Sequence, residues 1–168
     1  AVKRCWASLF KARAIYYRQI NNFNHLKVGI AVPIQSMVQS EVSGVLFTVD
    51  PVTNARDVIM IDAGLGLGEV VVSGSITPDR YLVNKADFKI TSKEINKQDF
   101  KIIKVKEGEK EIDKHIKLTK EEQEKQKLPD EKIIELAKLG QKIEDYYNAP
   151  QDTEWAYEGG KFYFVQSR

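Results

Sequence analysis

The sequence predicts an α+β fold, an antiparallel sheet flanked by helices, and three observations lead there. Short runs of β-branched and aliphatic residues follow one another at hairpin-like spacing. Two stretches, residues 1–20 and 130–147, instead carry apolar residues near a 3.6 period. The alternation of strands and long crossover helices that a parallel dinucleotide-binding sheet needs is missing.

Taken in order, Val2, Cys5, Trp6, Leu9, Phe10, Ala14, Tyr16 and Tyr17 predict one helix over the first twenty residues, ended by Asn21, Asn22 and Asn24. Gly29 to Val38 reads as a strand in which Pro33 marks an edge or a bulge. A turn at Ser43-Gly44 precedes a strand from Val45 to Val49, and Asp50-Pro51 opens a connecting loop. Val58 to Ile61 is a third strand, followed by the glycine-rich stretch Asp62 to Gly68 and a possible helix start at Glu69. Tyr81–Val83 and Phe88–Ile90 read as strands about a turn. Residues 91–128, rich in Lys and Glu, read as strands or loop and then a short charged helix, mostly solvated. Asp130 is placed to cap the last helix, whose stripe is Ile133, Leu136, Ala137, Ile143, Tyr146 and Tyr147. A hairpin of Thr153–Tyr157 and Phe162–Ser167 closes the chain.

The 168 residues suffice for a core without staples, and 42% hydrophobic with 30% charged residues is ordinary for a globular protein. A net charge of +2, from 26 basic and 24 acidic residues, gives no electrostatic case for nucleic acid or an anionic membrane as partner. No apolar run approaches the ~20 residues of a membrane span. Cys5 is alone, which excludes an internal disulfide or a cysteine-built metal site and makes a reducing, cytoplasmic compartment the default. On an apolar helix face Cys5 is expected to be buried, and His25 and His115 to be surface residues. The opening Ala-Val-Lys-Arg and the ending at the close of a strand suggest a piece of a longer protein.

The closing hairpin carries the strongest chemical signal. Asp152 and Glu154 lie on its first strand, Gln166 and Arg168 on its second. Glu and Gln oxygens suit a hard cation such as Mg²⁺, and a guanidinium can hold a phosphate oxygen. Strand side chains alternate with a period of two. A three-residue loop at Glu158-Gly159-Gly160 pairs Glu154 with Phe164 and puts all four polar residues on one face. A two-residue turn at Gly159-Gly160 separates Glu154 from Gln166 and removes the shared site. The plain alternative is an exposed hairpin with surface polar residues.

Gly64-Leu-Gly66-Leu-Gly68-Glu69 could bring backbone close to phosphate, but it matches neither the dinucleotide fingerprint nor the P-loop, no Lys-Ser/Thr pair follows, and tight strand-to-helix turning is the simpler explanation. Gln35-Ser36-Met37-Val38 could line an adenine pocket, with Met37 alternatively core filler.

In this order, these signals resemble one family. Ala1 to Arg18, with Cys5-Trp-Ala-Ser-Leu-Phe10 and Arg13-Ala-Ile-Tyr-Tyr-Arg18, is similar to the phosphoenolpyruvate synthase and pyruvate phosphate dikinase family. So are Ser43-Gly-Val-Leu-Phe-Thr-Val-Asp-Pro51, Gly66-Leu-Gly-Glu69-Val-Val-Val-Ser-Gly74, and the two strands from Asp152 to Arg168. The likeness runs nearly end to end and is weakest over the charged, variable residues 91–128.

It implies that residues 1–168 are the C-terminal portion of an ATP-grasp nucleotide-binding domain. Such a domain binds Mg-ATP and passes a phosphoryl group to a histidine on a swivelling domain, and a barrel domain then converts pyruvate to phosphoenolpyruvate. On the matching positions Glu154 and Gln166 are the metal ligands, Arg168 the catalytic phosphate-contacting arginine and Asp152 a supporting acid. Glu69 is the acid near the nucleotide, and Gln35, Met37 and Val38 lie where adenine packs. The upstream ATP-grasp subdomain, the phosphohistidine domain and the barrel are absent, so the chain alone is expected to be inactive. The acceptor could instead be an antibiotic of the rifamycin type, a glucan or the substrates of pyruvate phosphate dikinase. A non-catalytic α+β interaction module is the remaining alternative.

Overall fold

Alternating apolar and polar residues build six strands into one antiparallel sheet. A computed structural model describes residues 1–108 and 110–168. The sheet's strands are β1 (Val42–Phe47), β2 (Val58–Leu65), β3 (Asp79–Asn84), β4 (Ile90–Glu94), β7 (Asp152–Glu158) and β8 (Lys161–Ser167), in the order β4-β3-β2-β1-β7-β8. A separate ribbon pairs β5 (Phe100–Glu107) with β6 (Lys110–Lys117). The helices are α1 (Val2–Ser8), α2 (Ala12–Ile20), α3 (Glu69–Val72), α4 (Lys120–Glu124) and α5 (Asp130–Tyr147). The expected antiparallel α+β architecture is the one found.

The chain divides into two units, Ala1–Met37 and Val38–Arg168. In the first, the single helix expected over residues 1–20 is two helices. The amides of Leu9, Phe10 and Lys11 bond three residues back, which tightens the end of α1. The Leu9 carbonyl is taken by the buried Arg18 (Nη2 to O, 2.6 Å), whose Nε donates to Nδ1 of His25 at 3.1 Å. Cys5 is exposed rather than buried, because α1 has no buried residue. Gly29 to Val38 forms no strand. Pro33 lacks a donor, and ladder pairing starts only at Glu41, whose amide donates to the Tyr157 carbonyl (2.9 Å).

In the second unit one face of the sheet packs under α5. Leu46, Ile59, Ile61, Ala63, Tyr81, Val83 and Trp155 meet Ile133, Leu136 and Ala137 in one core. Trp155 is 1% exposed, and Lys132 of α5 stands over the Tyr157 ring at 5.6 Å. Both aromatics therefore lie on the α5 side, as the alternation of β7 requires. The helix starts differently from expectation. Pro129 is the N-cap and Asp130 is already helical, its carboxylate taken by Lys93 Nζ (2.9 Å) and Gln126 Nε2 (2.8 Å). Asn148 ends the helix in the left-handed conformation (φ 50°).

Residues 91–128 are less solvated than their composition suggests. Gln98 is buried, its Oε1 accepting from the Leu65 amide (2.8 Å) and its Nε2 donating to the Leu65 and Phe100 carbonyls. Lys127 and Asp79 form a fully buried pair at 3.1 Å. Asp79 also accepts from the Tyr81 hydroxyl and from the amides of Asn96 and Lys127. This network is well satisfied, as a buried charge pair must be.

Candidate functional site

The β7–β8 hairpin decides whether the sequence-predicted residues meet. Its turn has two residues, Gly159 and Gly160 at φ 55° and 85°, flanked by the pair Glu158 and Lys161. Two consecutive positive φ values suit a two-residue hairpin turn and favour glycine at both positions. The expected three-residue loop is therefore wrong, and its register with it. Continued without interruption, the observed register would set Glu154 opposite Val165 and turn Gln166 to the other face.

The strand does not continue regularly. Pairing steps from Trp155 opposite Phe164 to Glu154 opposite Gln166, which leaves Val165 as an extra residue in β8. This bulge re-aims everything beyond it by one residue. Glu154 and Gln166 become direct cross-strand neighbours. Asp152 and Arg168 exchange both backbone hydrogen bonds at 2.8 Å, and Nη2 of Arg168 donates to Oδ2 of Asp152 at 3.0 Å. All four residues share one face, for a reason the turn alone could not supply.

That face lies opposite α5. Its central row runs across six strands as Gln166, Glu154, Val45, Asp62, Arg80 and Glu94. Beside it run Asp152, Phe47, Met60, Leu82 and Ser92. Asp62 and Arg80 were not singled out from the sequence. Asp62 lies in β2 rather than in the glycine-rich turn assigned there. Arg80 binds it in two-pronged fashion, Nε to Oδ1 at 2.8 Å and Nη2 to Oδ2 at 2.9 Å. The guanidinium is held above its ordinary pKa, first by that hydrogen bond. The signal that could have found them is one acid inside the apolar run Val58–Leu65 and one arginine in β3.

The Gly64–Glu69 turn closes one end of this face. Gly64 lies within β2, and a Cβ there would stand 2.7 Å from Ile76 and 2.8 Å from Val71. The α3 turn therefore covers the sheet at that row. Ser43 Oγ donates to the Gly66 carbonyl (2.6 Å), and the Leu67 amide donates to the Ile102 carbonyl (2.9 Å), which ties the ribbon to the turn. Glu69 is exposed in the first turn of α3, a helix of four residues. Its charge reaches Lys104 of the ribbon, whose pKa is raised chiefly by its hydrogen bond with Asp113.

The remaining candidates are less constrained. Gln35 is exposed, and Met37 is 53% exposed, so Met37 is not core filler. Val38 is half-buried and begins the second unit. Both histidines are exposed, as expected.

Among the described residues no group of three His, Cys, Asp or Glu side chains is arranged to hold a metal ion. The donor set at Glu154 and Gln166 nonetheless fits Mg²⁺, which takes one or two protein oxygens and fills its other positions with water and phosphate. Glu154 forms no ion pair among the described residues, so its carboxylate is not committed elsewhere. Also among them, no helix is long and apolar enough to cross a membrane.

Comparison with known proteins finds relatives over the whole chain. The chain is 54% identical to a phosphoenolpyruvate synthase of Pyrococcus furiosus over 99% of its own length and 21% of that relative's. It is 53% identical to a probable phosphoenolpyruvate synthase of Pyrococcus abyssi, again over 99% of the chain and 21% of the relative. It is 44% identical to a rifampicin phosphotransferase of Bacillus cereus, over 99% of the chain and 19% of the relative. The chain thus spans about a fifth of the length of these relatives. A profile of the pyruvate phosphate dikinase AMP/ATP-binding domain matches residues 1–168, and the chain belongs to that family.

Proposed function

We propose that the chain forms one wall of a Mg-ATP site in a phosphotransferase of the phosphoenolpyruvate synthase type. The observation that carries this reading is Glu154 directly opposite Gln166, with the Asp152–Arg168 pair beside them on the sheet face away from α5. Glu154 and Gln166 supply oxygen ligands to Mg²⁺. Arg168, oriented by Asp152, donates to a phosphate oxygen of the transferred group. Bound Mg²⁺ would neutralise charge on the polyphosphate. Glu69 is assigned to the nucleotide, and the Gln35, Met37 and Val38 segment to adenine, on the family resemblance.

In this reading the phosphoryl group passes to a histidine on another domain and then to pyruvate. The upstream ATP-grasp subdomain, the phosphohistidine domain and the barrel belong to the same cytoplasmic polypeptide. Phosphoryl transfer relies on positioning and charge stabilisation from all sides, so one wall alone does not turn over ATP. A second reading keeps the nucleotide site and changes the acceptor to a rifamycin-type antibiotic, favoured by the 44% identity to a rifampicin phosphotransferase.

The test is Glu154→Gln in the full-length polypeptide, assayed for ATP-dependent phosphorylation of pyruvate and of rifampicin. Loss of about 100-fold or more is expected, the scale of removing a group that stabilises transferring charge. Turnover within a few-fold of the parent would overturn the metal assignment, and the preferred acceptor separates the two readings.

A further inference from the structure

The open face carries a second guanidinium that the family resemblance does not assign. We propose that Arg80, held by Asp62, is a further phosphate-binding cation of this site, an inference that rests on the Mg-ATP reading above. Arg80 lies in the same cross-strand row as Glu154 and Gln166, separated from Glu154 by Val45 and Asp62. With strands about 4.8 Å apart, Asp62 and Arg80 stand about 10 and 14 Å from Glu154 along the row. An arginine side chain reaching back toward Asp62 closes much of that gap. A polyphosphate with its metal at Glu154 would then have Arg168 on one side and Arg80 on the other.

The pair is built for holding a charge in place rather than for burying one. The Asp62 side chain is 9% exposed and the Arg80 side chain 41%. A buried carboxylate fixes Nε and Nη2 by two parallel bonds, and the remaining guanidinium donors are free to face a ligand. A preset cation costs no reorganisation when the phosphate arrives. Other carboxylates are near. Glu94 follows Arg80 in the row, and the charges of Glu94 and Asp50 both reach the guanidinium. Neither forms an ion pair with it among the described residues, so they tune Arg80 without occupying it. Val45, Phe47 and Leu82, all half-buried on this face, give a floor of low polarity that strengthens a phosphate contact.

The experiment uses the full-length polypeptide and compares Arg80→Gln, Arg80→Lys, Asp62→Asn and Glu154→Gln. The affinities for Mg-ATP and AMP and the melting temperature are measured for each. Arg80→Gln should weaken ATP about tenfold or more and leave AMP within twofold, because only the terminal phosphates are touched. Arg80→Lys should recover part of the loss, and Asp62→Asn should show a smaller loss of the same kind. Equal weakening of ATP and AMP, or a fallen melting temperature with an unchanged ATP-to-AMP ratio, would make the pair structural and overturn the proposal. So would unchanged ATP affinity in Arg80→Gln alongside a disabled Glu154→Gln, with the Mg-ATP reading left standing. An unaffected Glu154→Gln would instead overturn that reading, and this proposal with it.

Discussion

The two faces of the six-stranded sheet are made by the same strands and differ only in the parity of their residues. On the α5 side, Leu46, Ile61, Tyr81 and Trp155 are fully or almost fully buried. On the other, Glu154, Asp62 and Arg80 occupy the intervening positions, with Gln166 and Arg168 at the edge. One face holds the fold, and the other presents donors and charges. The lesson is that stability and chemistry are separable here at single-residue resolution. A substitution at position n and one at n+1 of the same strand should have different consequences.

The widest separation is expected at β7. Trp155→Ala removes the largest fully buried side chain from the α5 face. The indole edge packs over Gly44, where an added Cβ would lie 3.1 Å from it. The loss should be about 3–5 kcal/mol, the range for emptying a large aromatic site. Urea unfolding measures it. The neighbouring Glu154→Gln should move the same curve by less than about 0.5 kcal/mol. A comparable loss at both positions would mean that the faces are not separable.

A smaller effect is expected where α5 meets the sheet. Gly140 sits against Leu46, and a Cβ there would stand 2.7 and 2.8 Å from the two Leu46 methyls. Gly140→Ala gains helix propensity of about 1 kcal/mol but forces the buried Leu46 to shift, at about 1–3 kcal/mol. A net loss near 1 kcal/mol follows. A stabilised variant would show that α5 can lift off the sheet without cost.

Which parts of this arrangement were legible follows from the same parity. The Ile133–Ile143 part of the α5 stripe and the strands of the closing hairpin are local periodic patterns and appear where the sequence places them, whereas Tyr146 and Tyr147 at the end of the expected stripe are exposed. The four polar residues of that hairpin were identified, and they do converge. The reason for their convergence was not legible. It depends on a bulge at Val165, which resets the register partway along the hairpin and is not encoded in the turn. The same holds for Asp62 and Arg80, which meet only because β2 and β3 pair in one register. The predicted first helix breaks at Lys11, which is extended (φ −71°, ψ 148°), and the Leu9 carbonyl left without a helical partner is taken by Arg18, nine residues on. Gly29–Val38 failed as a strand for want of a ladder partner. Segments 91–128 looked solvated because composition does not show which amide will be buried, as Gln98 is.

The smallest expected effect sharpens the comparison at a polar group on the buried face. Tyr81 donates its hydroxyl to Oδ2 of Asp79 at 2.8 Å, and both residues are fully buried. Burial is the main cause that pushes the Tyr81 pKa well above its ordinary value, with the charge of Asp79 next. In the unfolded chain the phenol titrates near pH 10. The folded protein thus keeps a proton that the unfolded one releases, and stability contributed by Tyr81 is complete below about pH 10 and falls as pH rises above it. Tyr81→Phe removes that hydrogen bond and the long one the hydroxyl accepts from the Leu128 amide (3.5 Å), but leaves Asp79 accepting from Lys127 and from the Asn96 and Lys127 amides. The cost at neutral pH should therefore be about 1 kcal/mol. Raised by one pH unit above 10, the parent loses up to about 1.4 kcal/mol that the variant does not, so the two urea midpoints should converge by pH 11. Parallel curves would show that the phenol is ionised or hydrated inside the fold. The buried face would then share the solvent access that distinguishes the open one.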